Sequence, residues 1–180
     1  MLTLPPLPNW PAIHPLVIHF PIVLLLIAPL FIVIGLMRKG ERAFPFFLVA
    51  LLLMGLGTAS TFVAAASGNA AGELTKDAGQ VEAVLEQHED LAVTTEIAFS
   101  ALTVVFAAML FLPKLLKRQP TRAIATALSL VFLLFYTTGA VSLVNTAHQG
   151  ARLVHELGVR AQMQPGPSAI ESAGHERERE

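Results

Sequence analysis

The 180-residue chain has no cysteine, one tryptophan, one tyrosine and only 14% charged residues. Without thiols there can be no disulfides, thiolate metal sites, iron–sulfur clusters or covalent c-type haem attachment. A soluble domain carries about a quarter charged residues, so roughly half of the usual polar coat is missing. The formal net charge of −1 provides no basic field to hold nucleic acid. Also missing are a phosphate-binding loop, a nucleotide fingerprint and a Ser/His/Asp nucleophile arrangement. What the chain does hold is apolar, with 54% hydrophobic residues and a mean hydropathy of +0.63.

The apolar residues fall in four blocks, residues 16–37, 44–66, 91–112 and 123–144. Each is ~20 residues, enough for a helix to cross a hydrocarbon core of ~30 Å. Lipid offers no water to satisfy stray backbone groups, so helix is the expected conformation. The fold class predicted is all-α, a four-helix transmembrane bundle. The first block follows a stretch with no Lys or Arg and is too long for a cleavable signal sequence, so it is expected to remain as a span. Residues 1–162 make one membrane domain. Residues 163–180, with Pro-Gly-Pro-Ser and a terminal Glu-Arg alternation, are expected to be a disordered tail. No internal repeat is evident.

Seven of the twelve Lys and Arg residues lie in two short connections, Arg38, Lys39 and Arg42 in one and Lys114, Lys117, Arg118 and Arg122 in the other. The positive-inside rule makes both cytoplasmic and puts both termini on the outer, periplasmic side of a bacterial inner membrane. From Val81 onward, Val84, Leu85, His88, Leu91, Ala92 and Thr95 form the stripe of an amphipathic helix. Helix three is therefore expected to begin near Ala78, outside the membrane. Helix four is expected to continue past its span through His148 towards Val159.

Five of the six histidines, His14, His19, His88, His148 and His155, fall on or near that outer side, and neither basic connection has one. His88 belongs to the apolar stripe and should face the bundle, while Gly150 and Ala151 leave room beside His148 for a helix or a flat ring. Along a helix His14 and His19 would stand ~140° apart. Pro15 pushes His14 out of the regular helix, which makes His19 the preferred buried ligand of the two. Ligand candidates are thus His19, His88 and His148, with His14 next, and Glu73, Glu89, Glu96 and His155 as supporting groups. Imidazoles from separate helices suit bis-histidine b-type haem. Copper, zinc or iron would accept them too. A third reading has the histidines only packing and capping in a structural subunit.

These residues resemble the bacterial membrane proteins of the domain-of-unknown-function 2231 family. The stretch His-Pro-Leu-Val-Ile-His-Phe-Pro-Ile, from His14 to Ile22, is similar to the family's opening motif, and Ser67–Glu73 and His88–Ala92 resemble two further family stretches. Near the end of helix four His148 and Gly150 match. His155 falls where the family has Tyr, and Leu157 where it often has a second histidine, so the resemblance assigns no role to His155. Membership implies a four-helix membrane protein with an outer histidine cluster, and relatives fused to cytochrome-type domains favour haem. The function expected is electron transfer or binding rather than stand-alone catalysis, with membrane lipid around the protein and quinol or a cytochrome-type protein as redox partner.

Overall fold

The computed structural model describes residues 8–74 and 79–160. Among them there is no strand. A 3-10 turn (Pro11–Ile13) leads into α1 (His14–Val17) and α2 (His19–Met37), which together make the first span. The others are α3 (Phe44–Gly72), α4 (Gln80–Leu115) and α5 (Arg122–His155). All four spans are long and apolar enough to cross a membrane. At ~1.5 Å per residue, the 36 residues of α4 reach well beyond a ~30 Å core. Expected helix extensions are therefore present, with α4 beginning at Gln80 and α5 ending at His155. The expected tail, and Ala78, lie outside the described residues.

The break between α1 and α2 follows from proline chemistry. Pro21 has no N–H to give the Val17 carbonyl, so the ladder slips at Ile18, whose own N–H still reaches His14. The result sets His14 in a separate turn at the head of the first span.

The buried core runs along the bundle. Phe99, Phe106, Phe132 and Tyr136 interlock there, with neighbouring ring centroids 5.1–5.9 Å apart. Outward, large apolar side chains such as Phe20, Val104, Leu134 and Phe135 are exposed. A coat of this kind suits lipid rather than water. At the basic end Lys114 lies over the Phe44 ring at 3.4 Å.

The two helical hairpins of the bundle repeat a spacing of buried side chains. One unit is α1–α3 and the other is α4–α5, each a helical hairpin starting at the same end. An offset of 74 residues relates their first helices, pairing Leu25 with Phe99 and Ile32 with Phe106. An offset of 82 relates the second helices, pairing Ala50 with Phe132 and Met54 with Tyr136. All eight side chains are buried. Gly57 packs on Leu25, and its counterpart Gly139 packs on Leu102 and on Phe99, the counterpart of Leu25. The sequence does not reveal this correspondence because what is shared is burial at a register, with few identities.

Candidate functional site: a cavity between two held imidazoles

At the end of the bundle opposite the basic connections, the helices enclose a cavity of about 400 Å³. That lies within the ~300–1,000 Å³ of small-molecule sites. The repeat continues through its walls. On α3 and α5 the lining residues pair at the same offset of 82: Thr61 with Leu143, Ala64 with Thr146, Ala65 with Ala147, and Gly68 with Gly150. On α1–α2 and α4 they pair at 74, His14 with His88, Ile18 with Ala92, and Pro21 with Thr95.

Each half holds one imidazole in the same way. His14 Nδ1 lies 2.8 Å from the Ala64 carbonyl oxygen, and His88 Nδ1 lies 2.9 Å from the Thr146 carbonyl oxygen. A carbonyl only accepts, so in both rings Nδ1 carries the proton and donates it. In the neutral ring Nε2 is then the unprotonated nitrogen with a free lone pair. Among the described residues no hydrogen bond engages either Nε2. Four residues after each acceptor comes a glycine, and each ring lies against it. A Cβ on Gly68 would stand 2.9 Å from His14 Cε1, and one on Gly150 would stand 3.1 Å from His88 Cε1. No other residue lets the ring approach the helix backbone so closely.

Neighbouring hydroxyls brace these positions. Ser67, fully buried, lies 3.3 Å from His14 Nδ1 and donates to the carbonyls of Val63 and Ala64. Thr146 donates to the Ser142 carbonyl and lies 2.9 Å from Thr95 Oγ1, which also bonds the Ser142 hydroxyl at 2.8 Å. Thr95 thus ties α4 to α5 directly beneath His88. On the other flank Thr58 bonds Thr103 at 2.9 Å and joins α3 to α4.

The remaining expected site residues are distributed unevenly. His19 and His148 are exposed and do not line the cavity. Helix phase explains both: with His14 turned inward, His19 must point outward, and on α5 the cavity face carries Thr146, Ala147 and Gly150 instead of His148. Of the two, it is His14 and not His19 that lies at the cavity. His155 and Glu89 line the cavity, whereas Glu73 is exposed and Glu96, half-buried, lies outside it. Sequence reasoning missed Ala64 and Thr146 as ring acceptors and Gly68 as a ring seat. The available signal was the recurrence of Ala-x-x-Gly at Ala65–Gly68 and Ala147–Gly150.

No curated protein and no solved structure is a match to this chain. Residues 11–163, which take in all four spans and both halves of the cavity, match the family described as predicted membrane protein (DUF2231), and the chain belongs to that family.

Proposed function

We propose that the cavity binds b-type haem between His14 and His88, and that the protein carries electrons at the outer side of a bacterial inner membrane. The observation that carries this reading is the matched pair of imidazoles, each with Nδ1 committed to a backbone carbonyl and Nε2 free. That is the arrangement by which proteins fix the tautomer and orientation of a metal-ligating histidine.

The donor set fits haem better than a bare ion. Zinc or copper held by protein alone needs three or four ligands. Among the described residues no group of three His, Asp or Glu side chains could hold a metal ion. Haem brings ring nitrogens of its own for its iron, so two imidazoles would be enough to hold it, and His14 and His88 are the residues that would do so. The walls suit a flat apolar ring, since Ile18, Ala65, Ala92 and Ala147 are small or aliphatic. Bound there, haem would supply a one-electron carrier. The chain's contribution is to present two oriented neutral imidazoles, exclude water with apolar walls, and hold both hairpins around one ligand.

The seven basic residues of the two short connections support the orientation, because cytoplasmic loops collect Lys and Arg. The histidine end then faces the periplasm. Quinol in the membrane or a cytochrome-type protein at the surface is the proposed redox partner.

The test is the reduced-minus-oxidised spectrum of protein purified in detergent from haem-supplemented cells. The wild type should show a low-spin, bis-imidazole spectrum, lost in His14→Ala and in His88→Ala but kept in His19→Ala and His148→Ala. A flat Soret region in helical wild-type protein would overturn the proposal, as would an unchanged spectrum in both cavity variants. Stoichiometric copper or zinc in place of haem would favour the metal-binding alternative.

A further inference from the structure

The mouth of the cavity carries a cation of its own. Past the end of α5 the chain turns at Gly158, whose φ of +70° favours glycine. The Val159 N–H then bonds the Leu153 carbonyl at 2.9 Å, and the Val159 side chain packs on a small cluster of Val81, Leu85 and Leu153. This fold-back sets Arg160 on the cavity wall, which His155 also lines. Arg152, one helical stretch earlier, is occupied by Glu156 and Gln149, both at 2.9 Å. Arg160 has no such partner among the described residues, and no other Lys or Arg among them lines the cavity. The one lining carboxylate, Glu89, lies against Gly72 of α3.

The charged side chains that line the cavity, Arg160 and Glu89, gather at one end of it. Its floor is Ile22, Thr61 and Leu143, and its mouth holds Arg160, His155, Asn69 and Glu89. A flat ring held by one imidazole from each hairpin would have one edge nearer the floor and the opposite edge nearer the mouth. Haem b carries two carboxylates on a single edge. Resting on the haem reading of the preceding section, we infer that Arg160 is an anchor for those carboxylates and fixes which edge of the ring faces out. A guanidinium suits the role because its planar fork matches a carboxylate with two parallel N–H donors.

The probes are haem b and its dimethyl ester, which has the same ring and iron but no free carboxylate. Each is loaded into detergent-solubilised full-length protein, and its rate of transfer to an excess of apomyoglobin is followed optically. Wild type should release the ester faster than haem b by about two- to fivefold, the scale of a partly exposed charge pair. Arg160→Gln should abolish that difference by speeding release of haem b alone. Arg160→Lys should keep part of it, and Arg152→Gln should behave as wild type. An equal haem-to-ester ratio in wild type and Arg160→Gln would overturn the assignment of Arg160 while the bis-imidazole spectrum persists. If neither porphyrin gives that spectrum in wild type, the haem reading itself falls, and the anchor with it.

Discussion

Tyr136 donates its hydroxyl proton to the carbonyl oxygen of Leu25 at 2.6 Å, the oxygen that Pro29 leaves without a helical donor. In lipid a backbone carbonyl stripped of its partner must be satisfied from a neighbouring helix, and a buried tyrosine on α5 supplies that bond. The pair ties the first span to the fourth, the two that enclose the cavity together with α3 and α4. Replacing Tyr136 by Phe should therefore cost about 0.6–1.7 kcal/mol, the range of interhelical hydrogen bonds in membranes. The cost should shrink in a Pro29→Ala background, where the backbone N–H restored by that substitution can take over the Leu25 carbonyl. Reversible unfolding in mixed detergent, run as a double-mutant cycle, reads this directly. Equal costs in both backgrounds would show that the carbonyl is not the reason for the tyrosine.

Helix contact through glycine gives a second prediction. A Cβ on Gly57 would meet Leu25 at 2.7 Å, near the branch point of that side chain, where it cannot simply swing away. Gly57→Ala should lose about 1–3 kcal/mol by overpacking. Gly139→Ala, its counterpart in the second hairpin, should lose less, because the nearest atom is the tip of Leu102 at 3.0 Å. Gly55 has nothing within 4 Å of its added Cβ, so Gly55→Ala should be neutral or gain up to about 1 kcal/mol. A loss at Gly55 equal to that at Gly57 would contradict the packing.

Much of this architecture is legible in the sequence, and the reasons are physical. Long apolar runs can only be helices in lipid, so Leu16–Met37 and its three companions declare themselves through composition alone. His88 is also legible, because a period of 3.6 puts it on the stripe with Leu85 and Ala92. The choice between His14 and His19 is not. It depends on where Pro21 interrupts the ladder, and Pro15 proves compatible with a turn of helix beginning at His14. Nor could the ring acceptors be read, since Ala64 and Thr146 act through backbone carbonyls that every residue possesses. The repeated spacing of the two hairpins hides for a related reason. Ala50 and Phe132 are both buried at the corresponding register but differ greatly in volume.

The two glycines beneath the imidazoles should govern ligand loading. Gly68→Ala and Gly150→Ala each push a methyl group towards a ring carbon, at 2.9 Å and 3.1 Å, and so turn Nε2 away from its present direction. Both variants should lose haem occupancy, measured as pyridine haemochrome per helical protein, by severalfold relative to Gly55→Ala. Because the halves are equivalent, the two losses should be similar in kind. Full occupancy in both variants would mean that ring placement at these glycines is unimportant for loading.

Orientation in the membrane can be tested with particular clarity because the chain has no native cysteine. Single cysteines introduced at exposed positions report their side through a membrane-impermeant maleimide. Glu156→Cys lies at the histidine end and Lys117→Cys in the basic connection between α4 and α5. In intact spheroplasts Glu156→Cys should be labelled and Lys117→Cys protected, with labelling of Lys117→Cys appearing only after the membrane is opened. The physical reason is the asymmetry of Lys and Arg between the two ends, which resists translocation of the basic connections. The reverse pattern would place the cavity at the cytoplasm. It would leave the paired imidazoles intact but remove the proposed periplasmic partner from consideration.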